Sequence, residues 1–193
     1  FLYNTLNVIN WMVKAKRNEE AGKMIVELGA ILHYSFAQNP YATIREEVDM
    51  VKSFVAIPKT RYQGRIEFEV IASGDLERYY TPRMILQPLV ENAISYGAEP
   101  YLEVCRITVV VREEAENIVM IVQDTGAGMT PEELEAVRNS AYKAKGHGIG
   151  LKNIRERLEM DDSRGTFRID SETGKGTRVE IHIQKRTEVE DHV

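Results

Sequence analysis

Asp124, Gly126 and Gly128 follow a short apolar run, Val119 to Val122, and a second glycine cluster, Gly146, Gly148 and Gly150, stands about twenty residues later where a helical pattern begins. Each group could hold one part of a nucleotide. A carboxylate at a strand end accepts a charge-assisted hydrogen bond from an exocyclic amine such as that of adenine, worth about 1.5–3 kcal/mol when partly desolvated. Gly126 and Gly128 reach backbone angles closed to other residues and let a flat ring approach the main chain. At the second cluster a loop becomes a helix near Ile149, so free backbone N–H groups and the helix dipole would face an anion, of which phosphate is the obvious one. A lone Asp-x-Gly is an ordinary turn. The acid, the two clusters and the following helix together argue for a nucleotide site.

Asn92 is a further candidate, a polar residue late on a largely apolar helical run. Its side-chain oxygen is a hard ligand suited to Mg2+, which keeps waters and phosphate oxygens as its other partners. A solvent-facing carboxamide is the plain alternative.

The elements that must position these residues follow from periodicity. Residues 1–16 place Phe1, Leu2, Leu6, Ile9, Met12 and Val13 at helical spacing, with Trp11 expected at the edge of the packing. A second helix starts after Asn18, a good N-cap, with Met24, Ile25, Leu28, Ile31 and Leu32 on one stripe. Such a hairpin cannot bury both stripes alone; a dimeric four-helix bundle, or packing on the following domain, would cover them. Thr43 and Glu46 suggest a capping box for a third helix, which Pro58 should kink or end. Alternation from Ile66 to Val70 predicts a half-buried strand, and the change of pattern puts a domain boundary near residue 64.

Thr81-Pro82 is read as the start of the Asn92 helix and Gly97 as its C-cap. Strands are expected over 106–112 and 117–123, then a short capped helix after Thr130, a helix over 149–159, and a hairpin of TFRIDSE with GTRVEIHIQ around residues 173–176.

Composition bounds the rest. With 193 residues, 43% hydrophobic and 28% charged, the chain has room for one sizeable core and a smaller helical piece. A net charge of −5 leaves no electrostatic footprint for nucleic acid. Cys105 is the single cysteine, so no internal disulfide or cysteine zinc site forms; a buried thiol in a reducing compartment is expected. No run approaches the roughly 18 apolar residues of a membrane span.

The motifs also carry a resemblance. LVENA with Asn92, DTGAG at 124–128, GHGIGL at 146–151 and GKGT at 174–177 resemble the N, G1, G2 and G3 motifs of the GHKL ATP-binding superfamily, shared by gyrase, heat-shock chaperone, mismatch-repair and histidine-kinase ATPases. FLYNTLN at 1–7 is similar to the segment that follows the phospho-acceptor histidine in sensor histidine kinases of the LytS/YesM type, and GIGLKNIRERL is typical of that branch.

The resemblance implies an α+β protein: a two-layer α/β sandwich of the Bergerat type, with helices on one face of a mixed sheet, over residues 64–193. Residues 1–63 would form the helical dimerisation and phosphotransfer hairpin with its linker helix. It implies ATP and Mg2+ as ligands. Asp124 would bind the adenine amine, and Gly126, Gly128 and Met129 would line the base. Asn92 would ligate Mg2+, Gly148, Ile149, Gly150 and Leu151 would meet the phosphates, and Thr177 would lie near the adenine. Residues 129–147 would be the lid, whose Lys143, Lys145 and His147 either reach the phosphates or remain a solvated loop.

In that family the acceptor histidine directly precedes the residue matching Phe1, which would put it outside this sequence and would leave the chain as given unable to phosphorylate itself. None of His33, His147, His182 and His192 replaces it. Pro88 stands where gyrase-like relatives carry a water-activating Glu, and Glu91, next to Asn92, is a candidate polarising residue. The implied activity is ATP-dependent histidine phosphorylation, with onward transfer to an aspartate of a response regulator. The partners are a second copy of the chain and that receiver domain, and no nucleic acid. The chain would be cytoplasmic, tied to the membrane only through upstream segments. A non-catalytic ATP-responsive dimer and a GHKL-type ATPase are the alternatives.

Overall fold

The computed structural model describes residues 2–62, 64–98, 104–139, 149–160 and 165–187. Two helices open the chain, α1 (Leu2–Lys14) and α2 (Asn18–Ser35), joined by a turn in which Lys16 takes φ +60°. Arg17, not Asn18, occupies the cap of α2, and its guanidinium pairs with Glu20 one turn inside the helix. The hairpin buries Ile9, Met12, Met24, Leu28 and Ile31, while Leu2, Leu6, Val13, Ile25 and Val26 stay exposed. Trp11 is likewise 58% exposed, and Arg17 lies over its ring.

β1 (Tyr41–Thr43) leads into α3 (Ile44–Arg61), whose start is the expected capping box. Pro58 sits in the last turn and the helix continues past it to Arg61. Five strands then form one sheet: β2 (Ile66–Ser73), β4 (Cys105–Glu113), β5 (Asn117–Asp124), β6 (Thr166–Glu172) and β7 (Gly176–Gln184). Its order is β2-β4-β5-β7-β6, with β2 parallel to β4 and every other pair antiparallel. The cross-strand sets Val109–Val122–Val179 and Val111–Met120–Ile181 face the helices in one continuous core with Phe54, Val55 and Leu89. Cys105 is fully buried there, and burial pushes its thiol pKa up.

The other sheet face explains why β5 reads as an unbroken apolar run. Val119 and Ile121 point away from the core and are still buried, next in register to Arg112 and His182 and to Val110 and Glu180. The stems of long charged side chains cover apolar surface while their heads stay in water.

The Asn92 helix starts later than its sequence suggests. Residues 80–82 form β3 (Tyr80–Pro82), paired with β1, and α4 (Leu86–Asn92) begins four residues after Pro82, continuing as a π-helix over Ala93–Ala98. Glu47 of α3 supplies the reason. Its buried carboxylate accepts the backbone N–H groups of Met84 (2.6 Å), Ile85 (3.0 Å) and Leu86 (2.8 Å), and the Tyr34 hydroxyl donates to it as well. A distant acid thus caps the helix, which needs no local cap. Burial pushes the Glu47 pKa up, and the four donated hydrogen bonds pull against that. α5 (Pro131–Arg138) and α6 (Ile149–Met160) complete the helical layer, α5 with the expected Thr130–Glu133 capping box.

Replacing Glu47 by alanine would leave three amides and a phenol without an acceptor in a dry site. We expect Glu47→Ala to lower unfolding free energy by about 3–5 kcal/mol. Equilibrium urea denaturation checks this, and a loss below about 1 kcal/mol would contradict the capping role.

Candidate nucleotide-binding site

Asp124 ends β5 opposite Ile107, and the chain turns at once: Gly126 N donates to Asp124 Oδ1 at 2.9 Å. This turn is packed backbone against backbone. A Cβ on Gly126 would lie 2.1 Å from the Gly97 carbonyl oxygen, one on Gly97 would lie 2.6 Å from Asp124 Oδ1, and one on Gly176 would lie 2.0 Å from the Asp124 carbonyl oxygen. Gly128 takes φ +64°, and a side chain there would strike the Glu172 carbonyl at 2.0 Å. Hydrogen bonds lace the same pieces together, Ala127 N to Gly97 O (3.1 Å), Gly174 N to Ala127 O (2.7 Å) and Met129 N to Ser171 Oγ (2.9 Å). Ser171 Oγ also contacts Thr177 Oγ1 at 2.9 Å. The DTGAG turn and the GKGT turn are therefore one structural unit.

A cleft opens beside it. Asn92, Ala93 and Tyr96 form the wall from α4 and its π-helical extension, Val122 and Asp124 the floor, and Thr177 and Val179 the strand side. Gly128, Met129, Glu133 and Leu151 of α6 complete the lining. An apolar slot with a few convergent polar groups is the usual form of a small-molecule site.

Asp124 is 4% exposed, and burial raises its carboxyl pKa to about 6, with the backbone N–H groups of Gly126 and Thr177 pulling it back toward the carboxylate range. A half-desolvated acid of this kind gains more from an incoming N–H donor than one in water. Asn92 carries a buried Nδ2 without a hydrogen-bond partner. A carboxamide turned about its last bond offers either a donor or an acceptor to whatever fills the cleft. No group of three or more His, Cys, Asp or Glu among the described residues could hold a metal by itself. Asn92 could supply one ligand to a cation that took the others from water and phosphate oxygens.

Of the residues singled out from sequence, Asn92, Asp124, Gly128, Met129, Leu151 and Thr177 converge on this cleft. Gly126 is buried beside it against Gly97. Glu91 faces elsewhere, into a groove with Asn4 and Thr5 of α1 and Pro58 and Tyr62 at the end of α3. Ile149 and Gly150 open α6. Gly146, Gly148, Lys143, Lys145 and His147 lie outside the described residues. Sequence reasoning missed Tyr96 and Gly97. Tyr96 follows Asn92 at i+4, a spacing that puts both on one helix face. Gly97 carried the wrong label: it lies inside the π-helix, not at a C-cap, and its missing side chain makes room for Asp124.

Comparison with known proteins bears on the same residues. The family model described as Histidine kinase-, DNA gyrase B-, and HSP90-like ATPase matches residues 79–187, and a Histidine kinase family model matches residues 1–66. Sensor histidine kinase YesM of Bacillus subtilis (strain 168) is 37% identical over 98% of this chain, and Sensor protein LytS of the same strain is 26% identical over all of it. The matched regions are 32% and 33% of those relatives, so the chain spans about a third of their length. Among solved structures, the catalytic domain of histidine kinase ThkA superposes with a TM-score of 0.60 at 21% identity, covering 75% of this chain and 96% of that one. The histidine kinase domain of a blue-light activated kinase from Erythrobacter litoralis covers 95% of this chain and 87% of that one, with a TM-score of 0.56 at 14% identity. These two likenesses establish the fold, a five-stranded mixed sheet under a helical layer. With a family match that takes in α4, the DTGAG turn, α6 and the last hairpin together, the chain belongs to the histidine kinase-, DNA gyrase B- and HSP90-like ATPase family and is similar along its whole length to sensor histidine kinases.

Proposed function

We propose that this chain is the ATP-binding kinase core of a two-component sensor histidine kinase. The observation that carries the reading is the convergence of Asp124, Asn92 and Thr177 on one cleft, in a chain whose first two helices leave an apolar face exposed. In the cleft, the Asp124 carboxylate accepts the adenine amine while Val122, Met129 and Val179 pack on the ring. The polyphosphate runs toward the N-terminal end of α6, where first-turn backbone N–H groups, which have no partner within a helix, favour an anion. Asn92 takes one coordination position of Mg2+, which when bound neutralises phosphate charge. Lys145, His147 and Gly148 complete the phosphate end.

The γ-phosphoryl group passes to an imidazole nitrogen of a histidine preceding α1. The P–O bond to ADP breaks as the N–P bond forms, and positioning supplies most of the rate. Glu91, which lines a groove with Asn4 and Thr5 of α1, would polarise that imidazole rather than touch ATP. The phosphoryl group then moves to an aspartate of a receiver domain. Residues 1–63 serve dimerisation and phosphotransfer, and residues 64–193 bind ATP. Leu2, Leu6, Val13, Ile25 and Val26 supply the face on which two copies form a four-helix bundle. No helix among the described residues is long and apolar enough to cross a membrane. In our reading the chain works in the cytoplasm, with any membrane attachment lying upstream. The full-length protein incubated with γ-labelled ATP should acquire an acid-labile phosphate, and its absence would refute the kinase reading.

Three outcomes are expected at the cleft. Asp124→Asn should weaken ATP binding by about 1.5–3 kcal/mol in calorimetry. The same change should leave the free protein as stable or more so, because it removes a buried charge. The pH dependence has opposite signs for folding and binding. A folded pKa raised from 3.8 to about 6 means that Asp124 contributes stability at low pH, on the order of 3 kcal/mol, which is lost as pH rises through 6. Binding of adenosine, which has no titrating phosphate, needs the charged form and should weaken as pH falls below about 6, with no such dependence in Asp124→Asn. Finally, Asn92→Ala should abolish the magnesium-dependent part of ADP affinity and spare the rest; equal losses with and without Mg2+ would remove Asn92 as a ligand.

A further inference from the structure

The two helices flanking the cleft, α4 through Asn92 and α6 through Leu151, are anchored at one shared corner away from it. Arg157, in the last turn of α6, donates from Nη1 to the Arg83 carbonyl at 2.6 Å. α4 begins three residues later with its first N–H groups on Glu47. Arg83 is itself held to the segment after α2: its N–H donates to Pro40 O at 2.9 Å and its Nε to Asn39 O at 2.8 Å. Its guanidinium lies 4.5 Å over the ring of Tyr34, whose hydroxyl donates to Glu47. Met84, between Arg83 and α4, takes φ +63°, a conformation that a non-glycine residue keeps only where its surroundings hold it. Tyr34 is 9% exposed and Glu47 1% exposed, so the contact between them is dry, while Arg83 and Arg157 line an open groove on its outer side.

This geometry gives the corner leverage. Asn92 lies six residues beyond Leu86, roughly 9 Å along the helix, so a tilt of about 10° at the corner displaces it by roughly 1.5 Å. Displacements of that size are enough to spoil a metal or phosphate contact. We propose that Glu47 and Tyr34 are positioning residues for the cleft: Glu47 sets the direction in which α4 leaves the corner, and Tyr34 ties that direction to α2 of the hairpin. The inference rests on the reading of the cleft as an ATP site. A ligand that draws α4 and α6 together loads Arg83, Glu47 and Tyr34 in turn, and a twist of α2 reaches Asn92 by the same contacts.

The test is amide hydrogen exchange on the full chain, with and without a non-hydrolysable ATP analogue and Mg2+. In the wild type the analogue should slow exchange in α4 and also over residues 28–35 of α2. Tyr34→Phe leaves Glu47 its three backbone donors, so the fold persists and affinity stays within about threefold. In this variant the slowing in α4 should remain and that in α2 should vanish. Glu47→Gln, where it melts cooperatively, should weaken analogue binding about tenfold or more. The inference is overturned if α2 does not respond in the wild type, if it responds equally in Tyr34→Phe, or if folded Glu47→Gln binds as the wild type does. If Glu47→Gln fails to fold, the Tyr34→Phe exchange pattern decides. A wild-type chain that binds no analogue overturns the ATP reading along with this one, whereas binding without an α2 response overturns this one alone.

Discussion

The cleft depends on three backbone segments meeting around Asp124 at distances that leave no room for a β-carbon. The π-helical end of α4 approaches through Gly97, the DTGAG turn through Gly126 and the last hairpin through Gly176, where an added Cβ would sit 2.0–2.6 Å from its neighbour. At Gly126 and Gly176 the obstacle is main chain, which cannot swing aside as a flexible side-chain tip can. Closure of these segments dries the Asp124 carboxylate and raises its pKa. Electrostatic poise at the cleft is thus a product of steric fit between glycines far apart in the chain.

A second constraint governs the angle of the helices over the sheet. The buried Glu47 carboxylate replaces a local N-cap for α4, so the wall of the cleft is aimed by α3 and, through Tyr34, by α2. A buried acid is a costly device on its own account, because desolvation opposes its charge. Here four donors offset that cost, and the arrangement specifies one start for α4. The hairpin is left with a half-covered apolar stripe, and covering the exposed half of each Leu or Ile would be worth about 1 kcal/mol.

Surface charge plays a lesser part. The outer sheet face carries ion pairs such as the exposed Arg106–Glu67 and the partly covered Arg178–Glu180, each worth about 1 kcal/mol or less. Val119 and Ile121 are covered on that face by their register neighbours Arg112, His182, Val110 and Glu180, which lets the central strand be apolar on both sides.

The sequence by itself determined what local chemistry can encode. Periodicity placed α1, α2 and α3, the capping boxes at Thr43 and Thr130 marked two helix starts, and the glycine turns located the β6–β7 hairpin and the DTGAG turn. Motif order pointed to Asn92, Asp124, Gly128, Met129, Leu151 and Thr177, which the fold brings to one cleft. Tertiary structure decided the rest. Pro82 lies in a strand because it pairs with Tyr41, α4 starts at Leu86 because Glu47 caps it, and Gly97 matters for the space it leaves beside Asp124. Glu91 and Asn92 are neighbours in sequence yet face different cavities, since successive helical residues are turned by about 100°. The strand at Pro82, the start of α4 and the role of Gly97 depend on contacts between residues tens of positions apart, which no local pattern carries.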